Sequence, residues 1–99
     1  MVLVKLHKKD GSILAAVCDA DLLGRKFEDG NLQLDLTGDF YKGEARDDTE
    51  AGDLIRNADH VNLVGEQSVK LGLQEGVIET SNVRKVNGIP YAQAAIVHG

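Results

Sequence analysis

Residues Val2 to Cys18 read VLVKLHKKDGSILAAVC, and they decide what kind of sheet this chain builds. Two runs of β-favouring residues flank Asp10-Gly11, a pair suited to the positive-φ positions of a type I′ hairpin turn. A two-residue turn sets the register. It predicts Val4 opposite Val17 and Leu6 opposite Ala15 on one face, with Lys5 opposite Ala16 and His7 opposite Leu14 on the other. The run from Ser12 to Cys18 is apolar on both faces, the mark of an inner strand.

Beyond that hairpin, Asp19 is placed to cap a short helical turn over Ala20–Leu23, which Gly24 ends, and Asp29-Gly30 turns the chain into NLQLDL. There, strict alternation turns Leu32, Leu34 and Leu36 inward and Asn31, Gln33 and Asp35 toward water. We read GDFYKGE as a loop pinned by Phe40 or Tyr41. Asp47 and Glu50 have capping-box spacing, and Ala51, Leu54, Ile55 and Ala58 recur as one helical stripe. Val61–Val64 fits a short buried strand, although a first helical turn has the same pattern over so few residues. A second helix ends near Glu75, before Gly76. The chain closes on SNVRKVNGIPYAQAAIV, a second hairpin about Asn87-Gly88, in which Pro90 demands an edge or a position with no need of an N–H. The expected architecture is α+β: a mostly antiparallel sheet from two terminal hairpins plus the Leu32–Leu36 strand, covered on one face by two helices. Its core is expected to include Val17, Leu32, Leu34, Leu36, Leu54, Ile55 and Leu71.

The 99 residues, 42% of them hydrophobic, suit one domain with one modest core. A formal net charge of -5 disfavours general coating of DNA or anionic membranes. No apolar run has a membrane span's length, and the N-terminus places its apolar residues ahead of its lysines, the reverse of a secretory signal. The expected location is the cytoplasm. Cys18 is the single cysteine, so an intrachain disulfide is excluded. Together with His7, His60 and His98 it shows no metal-ligand spacing, and neither metal nor cofactor is expected.

HVNLVGEQSVKLGLQEG, His60 to Gly76, passes from an apolar run through a glycine into a helix, as many phosphate sites do. The glycine spacing and the Lys-Ser/Thr ending of a Walker-type loop are both missing, and Glu66 would repel a phosphate at the helix N-terminus. Acidic pairs such as Asp19 with Asp21, or Asp47, Asp48 and Glu50, fall at turns and helix starts, where carboxylates accept backbone hydrogen bonds. No nucleophile motif occurs. The C-terminal hairpin carries more: its register sets Arg84 opposite Tyr91 and Asn82 opposite Gln93, a guanidinium, a phenol and two amides on one face. Such a face suits an unpaired base or a peptide, and equally the wet side of a sheet. Lys5 and His7 are placed to extend its positive character.

CDADLLG near the start, NLVGE before a glycine-terminated helix and NGIPYAQ near the end together resemble an archaeal family catalogued as a domain of unknown function, numbered 424. The resemblance covers nearly the whole chain. It marks Asn62, Gly65, Glu66, Gly88, Pro90 and Gln93 as motif residues, and it implies an archaeal cytoplasmic protein without supplying an activity. In that family histidine commonly follows the proline, where this chain has Tyr91. The expected function is a non-catalytic binding module, with an RNA or translation setting suggested by the resemblance alone. Its candidate ligand residues are Asn62, Glu66, Asn82, Arg84, Tyr91 and Gln93. The alternatives are a small enzyme built around NLVGE and the C-terminal hairpin, or an oligomerisation scaffold. A protein partner, an RNA partner and self-association stay open.

Overall fold

The opening hairpin forms as its turn chemistry dictates. In the computed structural model, which describes residues 1–97, β1 (Val2–Lys9) and β2 (Ser12–Asp19) pair antiparallel with Val4 opposite Val17 and Lys5 opposite Ala16. Asp10 and Gly11 hold φ of 53° and 79°, the left-handed values that a type I′ turn requires. Both outer partners of this hairpin come from far along the chain. The short β5 (Glu44–Arg46) adds antiparallel to β1, and β6 (His60–Val64) adds parallel to β2. The second hairpin, β7 (Arg84–Val86) with β8 (Ile89–Ala95), joins through β8 to β6, so the six strands run β5-β1-β2-β6-β8-β7.

Pro90 is tolerated inside this sheet because it lies one residue past Tyr91, the partner of β6's last residue, Val64. Its N–H would meet no strand there, while its carbonyl accepts the Gly65 N–H at 2.8 Å.

Two helices cover one face. α1 (Asp48–Arg56) starts with the expected capping box, Asp47 accepting from the Glu50 N–H while the Glu50 side chain accepts from the Asp47 N–H. α2 (Glu66–Gln74) ends at Glu75, and Gly76 follows with φ of 72°. Ala51 and Ile55 of α1, Ala58 just beyond its end rather than on its expected stripe, and Val69 and Leu71 of α2 pack on Val2, Val17, Val61 and Leu63 of the sheet. At about 25 cal/mol per Å² of apolar surface removed from water, this layer is the main source of stability.

One expected element belongs elsewhere. β4 (Leu32–Asp35) is not in the main sheet; it pairs with β3 (Lys26–Asp29) as a separate two-stranded flap. The flap packs on the face opposite the helices, where Phe27 and Leu36 meet Cys18, Val64 and Val86. Leu36 is 1% exposed but Leu32, at the flap tip, is 51% exposed. Alternation identified a strand with one buried side; it carried no information about which sheet the strand joins, and a two-stranded flap buries only the end that touches the body. The rest of the expected core is buried or half-buried. Among the described residues no helix is long and apolar enough to cross a membrane.

Candidate functional site

The helix N-terminus that resembles a phosphate site is already occupied by the protein's own carboxylate. Asp19, at the end of β2, accepts from the Gln67 N–H at 3.1 Å, the Ser68 N–H at 2.8 Å and the Ser68 hydroxyl at 2.8 Å. The parallel pairing of β2 with β6 brings the ends of the two strands together, so Asp19 lies against the start of the helix that follows β6. This corrects the expectation that Asp19 caps the turn after it. That turn, a 3-10 segment over Ala20–Leu22, has no side-chain cap. The amides of α2's first turn hold a stronger claim on a carboxylate, because they are buried and aligned with the helix dipole.

Gly65 serves the same arrangement. Its φ of 107° is disfavoured for side-chain-bearing residues, and a Cβ there would overlap the Asp19 carboxylate. A cleft of about 160 Å³ lies beside this cap, lined by Asp21, Glu66, Gly88 and Pro90 among others. The CDADLLG, NLVGE and NGIPYAQ stretches therefore converge in space. Much of that convergence is structural: Asp19 caps, Gly65 makes room, Pro90 accepts the Gly65 N–H, and Gly88 with φ of 81° forms the second hairpin turn.

The other candidate residues gather on the opposite face of the sheet. Arg84 pairs with Tyr91, Tyr91 with Val64, and Gln93 with Asn62. Alternation along β6, β7 and β8 turns all four side chains to the face away from the helices. Arg84 and Gln93 are exposed; Tyr91 and Asn62 are half-buried. A shallow groove of about 270 Å³ runs along Ser81, Asn82, Arg84, Tyr91 and Gln93.

Two expected members differ in detail. Asn82 is not a strand partner of Gln93, because β7 begins only at Arg84. Its side-chain oxygen accepts the Glu79 N–H at 2.7 Å, closing a local 3-10 turn, the competition with strand pairing to which asparagine is prone. It still lines the groove. Glu66 is not on this face; it is exposed in the first turn of α2, at the Asp19 cleft.

Tyr41 is a participant that local spacing did not assign to the site. The loop between β4 and β5 folds over the same face, stacking Phe40 on His7 with ring centroids 4.4 Å apart. It also brings the Tyr41 hydroxyl to the Asn62 side chain. Burial, with the neighbouring Cys18 adding to it, pushes the Tyr41 phenol up to about 12 against the opposing hydrogen bond from Asn62. Cys18 is pushed up to about 11, first by burial and then by the charges of Asp19 and Asp21. A thiol held protonated in this way is a poor nucleophile. The two aromatics in GDFYKGE were the available signal, yet their target lies across the sheet. Among the described residues no group of three or more His, Cys, Asp or Glu side chains is arranged to hold a metal ion; His98 lies outside them.

Comparison with known proteins agrees with this architecture. The family model described as "Protein of unknown function (DUF424)" matches residues 7–97. The fold is similar to that of an uncharacterized conserved protein from Methanopyrus kandleri, with a TM-score of 0.84 and 25% sequence identity, covering 97% of this chain and 91% of that one. Among curated proteins, none matches.

Proposed function

We propose that this chain, which belongs to the DUF424 family of proteins of unknown function, is a binding module that takes unpaired RNA bases on the sheet face formed by β6, β8 and β7. The observation that carries this reading is the register placing Asn62, Gln93, Tyr91 and Arg84 on one face, with Arg84 and Gln93 open to solvent. An aromatic ring beside a guanidinium offers a stacking surface, and amides beside them offer donors and acceptors for a base edge. Lys5 and His7 lie on the same face of the sheet, two strands further on. The net charge of -5 opposes a long polyanion and favours a short single-stranded segment bound chiefly through its bases.

The Asp19 cleft is the competing location, since three motif stretches meet there, and a small enzyme would use it. Its central carboxylate, however, already accepts three hydrogen bonds from α2, which leaves it ill-suited to serve as a general base.

Fluorescence anisotropy with labelled single-stranded oligo-uridine and oligo-adenosine at low salt tests the reading. Stacking contributes about 1–3 kcal/mol per base, so Arg84→Ala combined with Tyr91→Ala weakens binding roughly tenfold or more and leaves the circular dichroism spectrum unchanged. Absence of binding at low salt, or equal binding by the double variant, refutes it.

A further inference from the structure

The first strand has an edge that its neighbour covers only in part. Because Asp10-Gly11 is a two-residue turn, Lys9 and Ser12 form the first pair exchanging hydrogen bonds, and Lys9, His7, Lys5 and Leu3 direct their backbone groups toward β2. Val2, Val4, Leu6 and Lys8 direct theirs outward. β5 pairs only along Val2–Val4. Its line ends because Gly43 passes so close to the Val4 carbonyl that a Cβ would overlap it, and the preceding loop crosses the sheet face where Phe40 stacks on His7. Leu6 and Lys8 are thus left, among the described residues, without a strand on their outer side.

A groove of about 700 Å³ opens at this point, lined by Lys5, Leu6, Asp39 and Lys42 among others. Leu6 is 39% exposed, an apolar side chain beside unpaired backbone. Lys5 and Lys42 line the groove beside Asp39 and Glu44, and Lys8 and Lys9 follow Leu6 along the strand; none of the four lysines is in an ion pair among the described residues, whereas Glu44 is paired with Arg46 at 2.9 Å. Lysines on an edge strand ordinarily keep like edges apart. Two copies of this edge would set lysine against lysine, so self-pairing is disfavoured. The same charges attract an extended segment of opposite sign, whose backbone would continue the line of β5.

We infer that the outer edge of β1 from Lys5 to Lys9 is a docking edge for an acidic peptide segment of a partner protein, added as a strand beside Leu6 and Lys8. Main-chain hydrogen bonds to those two residues supply affinity, and the lysines select the partner's charge. The edge's backbone groups, at Leu6 and Lys8, lie apart from the β6–β8–β7 residues proposed for RNA, although Lys5 and His7 of the same strand face the RNA side.

The experiment uses the full chain and a short peptide alternating glutamate and valine, with three comparison probes: the lysine–valine peptide, the acidic peptide N-methylated on its edge-facing amides, and oligo-uridine. The acidic peptide is expected to bind and to slow amide hydrogen exchange at Leu6 and Lys8. The lysine and N-methylated peptides are expected to bind at least tenfold more weakly, as is the acidic peptide to Lys8→Glu with Lys9→Glu, exposed changes that leave the fold intact. Equal binding by the N-methylated peptide overturns the inference. So does oligo-uridine displacing the peptide while Leu6 and Lys8 stay unprotected, which marks a charged patch without strand addition. Dimers protecting Leu6 and Lys8 without peptide would assign the edge to a second copy and overturn it equally.

Discussion

At the carboxyl end of β6 the molecule closes on itself; on the sheet face that β6 shares with β8 and β7 it stays open at Gln93 and Arg84. Gly65 leads into a helix whose first amides are held by Asp19, with the Ser68 hydroxyl on the same carboxylate. Three residues earlier, Asn62 faces Gln93 across the strand pair, within a surface that also holds Tyr91 and Arg84. The first place has the sequence look of a ligand site and supplies its own ligand. The second has no motif in the usual sense, yet among the described residues it leaves the Arg84 guanidinium and the Gln93 amide without an internal anion or cap. Glycine beside a helix start thus reads equally as a ligand cradle or as space for an internal carboxylate, and only the partner across the sheet decides between them.

The largest expected effect breaks the closed end. Gly65→Val places a β-branched residue at φ of 107° and pushes its side chain into the Asp19 carboxylate. Strain of this kind costs about 1–3 kcal/mol and loss of the cap about 1–2 more, so urea unfolding should show a loss of about 2–5 kcal/mol. Asp19→Ala, which removes the cap without strain, should cost about 2 kcal/mol. The emptied helix start then becomes an anion site, so sulfate should stabilise Asp19→Ala by more than the general salt effect it has on the parent chain. Equal sulfate responses would mean that Asp19 does not fill the site.

Alkaline pH probes the layer beneath the open face. Well below pH 9 the Cys18 thiol and the Tyr41 phenol are protonated whether the chain is folded or unfolded. As pH rises from about 9 to 11 the unfolded chain ionises its thiol while the folded chain keeps its proton, and Tyr41 behaves likewise between about 10 and 12. The folded state binds more protons throughout, so stability falls as pH rises, by up to about 1.4 kcal/mol per pH unit for each group. Cys18→Ala should flatten the profile between about 9 and 10, make it less steep between about 10 and 11 where Tyr41 still contributes, and keep the later fall. The smallest effect belongs to the flap tip: Leu32→Ser, at a side chain 51% exposed, should change stability by about 0.5 kcal/mol or less.

Much of this architecture was legible because its determinants are local. Asp10-Gly11 and Asn87-Gly88 specify both hairpins and their registers, and Asp47 with Glu50 specifies the start of α1. What stayed hidden depends on partners distant along the chain. Nothing local to SILAAVCD indicates that it pairs parallel with HVNLV, and without that pairing Asp19 cannot be matched to Ser68. Leu32–Leu36 shows the same limit, since its alternation describes burial without naming what buries it. The candidate face was legible to the extent that it lies within one hairpin: Arg84 opposite Tyr91 follows from the turn. Asn62 beside Gln93 required the β6–β8 pairing, and Tyr41 reaching Asn62 required the loop to cross the sheet.

The closed end and the open face can be compared directly by following backbone amide chemical shifts while a short single-stranded oligo-uridine is titrated into the full chain at low salt. Shifts are expected to concentrate at Asn62, Arg84, Tyr91 and Gln93, with Gly65, Gln67 and Ser68 unmoved because the Pro90 carbonyl holds the first of these amides and Asp19 the other two. Shifts concentrated at Gly65 to Ser68, with the β6–β8–β7 face silent, would contradict this expectation.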